Sequence, residues 1–104
     1  MGVTPEGKVK KLVKTTIAKY EGVYVFMPVQ TGFGTKTLDF LLCANGSFVA
    51  IETKAPGKKP TPLQHLTIGE ILGAGGKTIV LDGAWDDEAT LMETLDACGC
   101  KRKV

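Results

Sequence analysis

Several features are scarce in this 104-residue chain, and each scarcity removes a class of protein. No apolar run approaches the ~20 residues that a membrane-spanning helix requires, so no membrane association is expected. The opening stretch MGVTPEGKVKKL holds no apolar segment able to act as a secretory signal. Cysteine occurs three times, at Cys43, Cys98 and Cys100, and an odd count argues against a disulfide framework. Together these predict a cytoplasmic protein. His65 is the single histidine. Beside Gln64 it reads as a surface helix residue rather than a general base. Cys98 and Cys100 have no second ligand pair to make a zinc site, and read as thiols on a frayed end. There is no low-complexity tract, internal repeat or linker. The length holds one hydrophobic core, so residues 1–104 are expected to form a single domain.

What is present is ordinary for a globular protein, with 43% hydrophobic and 23% charged residues. The net charge of +2 conceals an asymmetry. Residues 1–60 carry nine lysines against four acids, a balance of +5, whereas residues 61–104 carry four bases against seven acids, a balance of −3. A basic half suits a polyanionic partner. A solvated helix face with a basic tail accounts for the same charge, and Lys101, Arg102 and Lys103 form an unspecific tail of this kind.

Thr4 is placed to cap a helix whose first turn holds Pro5 and Glu6. Val9, Leu12, Val13, Ile17 and Tyr20 recur at helical spacing, with Lys8, Lys11, Lys14 and Lys19 outside the stripe. Glu21-Gly22 is expected to end this helix. Val23 to Val29, rich in β-branched and aromatic residues, predicts a strand. The loop QTGFGTKT follows, made flexible or sharply turned by Gly32 and Gly34. A strand is expected from about Leu38 to Ala44, then an Asn45-Gly46 hairpin turn and a return strand from Ser47 to Lys54. APGKKP is irregular. Thr61 and Pro62 open a second helix running to about Leu72, stopped by Gly73, Gly75 and Gly76. Lys77 to Leu81 predicts a last strand and Asp86 to Ala97 an acidic helix, anchored to the core by Trp85. The order is αβββαβα, an α/β fold with a mixed central sheet flanked by helices.

Counting outward from the two-residue turn pairs Ala44 with Ser47, Phe40 with Ile51 and Asp39 with Glu52. Opposed residues share a face, with Cβ atoms about 4.5–5.5 Å apart, and Lys54 projects from that face too. Two opposed carboxylates repel unless something positive lies between them. A divalent cation resolves the conflict, and oxygen ligands suit Mg²⁺ or Mn²⁺. A surface ion pair in which Lys54 bridges Asp39 and Glu52 resolves it equally well.

The run LDF…NGSFVAIETKAPGKKPTPLQ resembles the virus-type replication-repair nuclease (VRR-NUC) family of the PD-(D/E)XK superfamily. The signature stands here as Leu38-Asp39 followed by Glu52-Thr53-Lys54. The likeness runs from Glu6 through Gln64 to Gly75-Gly76. It implies a restriction-endonuclease-like fold, metal ligands at Asp39, Glu52 and the Thr53 carbonyl, and catalytic roles for Asp39, Glu52, Lys54 and Gln64. It further implies that Glu6 approaches the metal through water. Leu38 departs from the family pattern, which has proline before the aspartate and so shapes the start of that strand. The implied activity is Mg²⁺- or Mn²⁺-dependent hydrolysis of DNA phosphodiester bonds. Lys8, Lys11, Lys36, Lys58 and Lys59 would grip the backbone without reading sequence. Small members of this kind are expected to be homodimers acting on branched DNA such as four-way junctions, in phage replication, recombination or repair within the host cytoplasm. The rivals are a non-catalytic nucleic-acid-binding or dimerisation module of the same fold, and a nuclease directed at RNA.

Overall fold

The computed structural model describes residues 3–29 and 36–104. Thr4 is extended, and its hydroxyl accepts the Gly7 N–H at 3.0 Å, which satisfies one of the open donors of helix α1, Pro5–Ile17. Strands β1 (Val23–Phe26), β2 (Phe40–Ala44) and β3 (Ser47–Thr53) follow, then α2 (Pro62–Gly73), β4 (Lys77–Leu81) and α3 (Asp87–Ala97). This is the expected order. The expected glycine loop at Gly32 and Gly34 lies outside the described residues.

Asn45 and Gly46 take positive φ, 50° and 90°, as a tight hairpin turn requires. The register from Ala44↔Ser47 to Phe40↔Ile51 is the one counted from the turn. The four strands lie in the order β1-β2-β3-β4, antiparallel except for the parallel β3–β4 pair that α2 connects. The sheet is therefore mixed.

Strand alternation sorts the residues onto two faces. Phe40, Leu42, Val49, Ile51 and Leu81 pack with Val9, Val13 and Ile17 of α1 and with Leu91 and Leu95 of α3. The opposite face presents Leu41 and Phe48 to Thr67 and Ile71 of α2. Thr67 is the one residue of α2 that is buried.

Four expectations need correction. Helix α1 stops at Ile17, not at Glu21-Gly22, because Tyr20 leaves the helix to bridge Arg102. The Tyr20 hydroxyl donates to Asp96 at 2.8 Å, and Lys103 N–H donates to the Lys19 carbonyl at 2.8 Å. The C-terminal segment is consequently docked rather than frayed, with Cys100 buried in the core. Strand β1 ends at Phe26, not Val29, since its last partner is Leu41 and Pro28 has no N–H to extend the ladder. Trp85 is 96% exposed and anchors nothing. Leu91 and Leu95 hold α3 instead, helped by the buried Asp87, whose carboxylate accepts the Gly83 N–H at 2.8 Å.

Candidate active site

Glu52 lies near the end of β3 on the face turned away from the main core, and Lys54 follows two residues later. Asp39 comes one position beyond the last pair of the β2–β3 register. It does not extend the ladder as a strand residue. Asp39 sits at a bend, and its Oδ2 accepts both the Thr53 N–H at 2.9 Å and the Thr53 hydroxyl at 2.8 Å. The two acids adjoin as the hairpin count requires, with Asp39 held through Thr53 rather than by cross-strand pairing.

A cavity of about 330 Å³ opens at this end of the sheet. Its lining brings together Asp39, Glu52, Lys54, Gln64 and Glu6, drawn from four separate parts of the chain. Met27 and Pro28 form an apolar rim. Lys10 also lines it, a residue the sequence reading did not single out. Its signal was present, since Lys10 stands one helical turn beyond Glu6.

Glu52 is only 2% exposed. Its Oε2 accepts Gln64 Nε2 at 2.7 Å and lies 3.4 Å from Lys54 Nζ. Gln64 is fixed at its other end, because its Oε1 accepts the Thr61 N–H at 2.8 Å in the capping box that opens α2. The Glu52 carboxyl is raised to about 7, chiefly by burial and then by the negative charge of Asp39, with Lys54 offsetting part of the rise. Lys54 thus touches Glu52, whereas the ammonium near Asp39 Oδ1 is that of Lys10, at 3.9 Å.

The residues present fit a hard divalent cation. Glu52 Oε1 is buried and meets no hydrogen-bond partner among the described residues, the situation that a bound cation would relieve. Among the described residues no three acidic, histidine or cysteine side chains converge on a common point, so main-chain carbonyl and water oxygens would complete the coordination. Thr53 N–H faces Asp39 while Lys54 N–H pairs with Leu81 of β4. The N–H and C=O of an extended residue lie on one edge, so the Thr53 carbonyl faces the Asp39 side. Glu6 is engaged by Lys10 at 3.5 Å.

The other expected contacts lie apart from this cavity. Lys8 lines a separate recess with Pro56, Gly83 and Asp87. Lys11, Lys58, Lys59 and His65 are exposed. Lys36 pairs with Glu70 at 2.8 Å, beside a cavity of about 380 Å³ between α2 and the sheet. Among the described residues no helix is long and apolar enough to cross a membrane.

No protein-family model matches the chain. Over 84 residues it is 31% identical to a protein named "Putative nuclease p44" of Acyrthosiphon pisum secondary endosymbiont phage 1. The match takes in 79% of this chain and 87% of that relative. The chain belongs to the family of this phage protein. Because the shared stretch omits only about 22 of 104 residues, it runs through Asp39, Glu52, Lys54 and Gln64 wherever it begins. These four positions therefore lie within the matched stretch.

Proposed function

We propose that this protein is a metal-dependent nuclease of the VRR-NUC type, with the PD-(D/E)XK fold, that hydrolyses DNA phosphodiester bonds. The observation that carries the reading is Glu52, buried beside Asp39 and Lys54 in an open cavity, with one carboxylate oxygen that meets no hydrogen-bond partner among the described residues. The name of the phage relative as a nuclease supports the same reading.

Asp39, Glu52 and the Thr53 carbonyl would hold Mg²⁺ or Mn²⁺, with Glu6 reaching it through water. Such an ion supplies Lewis-acid polarisation of the phosphoryl group and makes water more acidic. The protein's own groups do the positioning. Thr53 fixes Asp39 through two hydrogen bonds, and Gln64 fixes Glu52 while being tethered to the start of α2. Lys54 donates to the charge that builds on the phosphate as water attacks phosphorus. The new P–O bond forms as the bond to the leaving oxygen breaks, and the proton released by water ends on that oxygen. Exposed lysines hold the backbone of branched DNA, four-way junctions included, without reading bases. A homodimer would offer two such cavities to a two-fold junction during phage replication, recombination or repair in the host cytoplasm.

Supercoiled plasmid and a synthetic four-way junction test this directly. Mg²⁺ or Mn²⁺ should support cleavage and a chelator should stop it. Lys54→Ala should lose about 10²–10³-fold in rate, the usual cost of removing a donor to transition-state charge, while still binding DNA. Intact DNA after incubation of the parent with both metals, or equal cleavage by the variant, would overturn the reading. Mn²⁺ at one hundred times its Kd should also stabilise the parent by about 2.7 kcal/mol, and Asp39→Asn or Glu52→Gln should reduce that gain.

A further inference from the structure

Lys10 is a second ammonium in the cavity, and no role in hydrolysis has been given to it. It rises from the second turn of α1 with its side chain 35% exposed. Its Nζ lies 3.5 Å from Glu6 Oε2 and 3.9 Å from Asp39 Oδ1. Glu6 precedes Lys10 by four residues, the favourable order for a helical pair, and this keeps the long stem turned toward the cavity. Asp39 Oδ2 is committed to Thr53, so Lys10 approaches the oxygen that Thr53 does not use.

We propose that Lys10 is a resident counter-ion of Asp39 that competes with a divalent cation for the acidic end of the cavity, and thereby sets how tightly the site takes metal. This rests on the metal-dependent reading above. Among the described residues, three acids (Glu6, Asp39 and Glu52) face two lysines (Lys10 and Lys54), a formal charge of −1. A divalent ion turns that to +1 if both lysines stay. The excess repulsion falls on the lysine with more freedom, and the two differ in this respect. Lys54 is 14% exposed and Lys10 is 35% exposed. Lys10 has a four-carbon stem and a second acceptor in Glu6, so it yields its place beside Asp39 without leaving the helix face. As a partly exposed ion pair it adds little to stability, so its effect is felt by the competing cation rather than by the fold.

Isothermal titration calorimetry of Mn²⁺ into the protein alone, at fixed pH and low salt, reads this without reference to cleavage. Lys10→Met keeps the stem and removes the charge, and Lys10→Gln serves the same purpose should the methionine variant fold poorly. Either should bind Mn²⁺ about three- to tenfold more tightly than the parent, by simple Coulomb repulsion across a few ångströms of wet protein. Lys10→Arg should bind like the parent. The gap should narrow as salt is raised. Equal or weaker affinity in the neutral variants overturns the proposal, undetectable binding by parent and variants alike included, and so does tighter binding by Lys10→Arg. If the parent cleaves DNA in Mn²⁺ while those affinities are equal, the role of Lys10 falls and the nuclease reading stands. If the parent neither binds Mn²⁺ nor cleaves, both fall together.

Discussion

On one face of the sheet Val13, Leu91 and Leu95 are fully buried, while on the other Phe48, Leu72 and Leu66 are 45%, 53% and 65% exposed. Helices α1 and α3 close the first face with interlocking aliphatic side chains. Helix α2 covers the second loosely, contributing Thr67 as its buried residue and Gln64 as a polar link to Glu52. Of the cavity acids, Glu52 belongs to the second face. A buried carboxylate inside the dense core would meet only apolar neighbours, at a large desolvation cost. At the end of the loosely covered face it meets the Gln64 amide and the Lys54 ammonium at the wall of the cavity. The densest packing thus lies on one side of the sheet, and the buried carboxylate of Glu52 stands on the other.

Truncation on the closed face should produce the largest effect. Leu95→Ala removes a side chain with no exposed surface and should cost about 2–5 kcal/mol. Thermal unfolding would register this as a fall of about 8 °C or more, since each kcal/mol is worth about 4–8 °C in a domain of this size. The division of labour would collapse if Leu72→Ala cost as much.

A pH series sharpens the comparison at Glu52. Its carboxyl is raised from 4.5 to about 7 in the folded, metal-free protein. Below 4.5 it is neutral in both folded and unfolded chains, so its burial costs little there. As pH rises toward 7 the unfolded chain ionises first, and the folded protein loses stability relative to it until Glu52 ionises as well. The parent should therefore weaken by a few kcal/mol across that interval relative to Glu52→Gln, which has no charge to bury. Denaturant titrations at several pH values with chelator present would check this, and parallel profiles for the two proteins would refute it.

The smallest effects belong to exposed apolar residues. Trp85→Ala should stay within about 0.5 kcal/mol of the parent because its side chain hardly leaves water on folding, and the half-exposed Leu72→Ala should cost only about 1 kcal/mol. Chemical denaturation resolves differences of that size when the m-value is unchanged.

Much of this arrangement is legible from local signals. Asn45-Gly46 announces its turn, and counting from it recovers every β2–β3 pair as far as Phe40↔Ile51. Thr61-Pro62 with Gln64 announces the start of α2, and the bounds of β4 are those expected. What escaped depends on contacts distant along the chain. Tyr20 meets Arg102 across nearly the whole sequence, so neither the end of α1 nor the burial of Cys100 has a local signature. Trp85 misled because its size suggests burial, whereas its place in the turn before α3 leaves nothing above it. Lys10 was hidden among neighbouring lysines that periodicity assigns to a solvent face. Only the docking of α1 over the end of the sheet separates it from Lys8 and Lys11.

The Asn45-Gly46 turn stands six residues from Asp39, about 20 Å along an extended strand at ~3.3 Å per residue. It touches nothing in the cavity, yet it works as the zero mark of a ruler on which the acids are graduations. The Asn45 side chain is clasped to the Cys98 carbonyl at 3.0 Å, which pins that mark to the end of α3. A strand slipped by a single residue would carry Glu52 to the aliphatic side and an apolar neighbour into the cavity. The far turn, with no charge and no reach, decides whether two carboxylates meet at all.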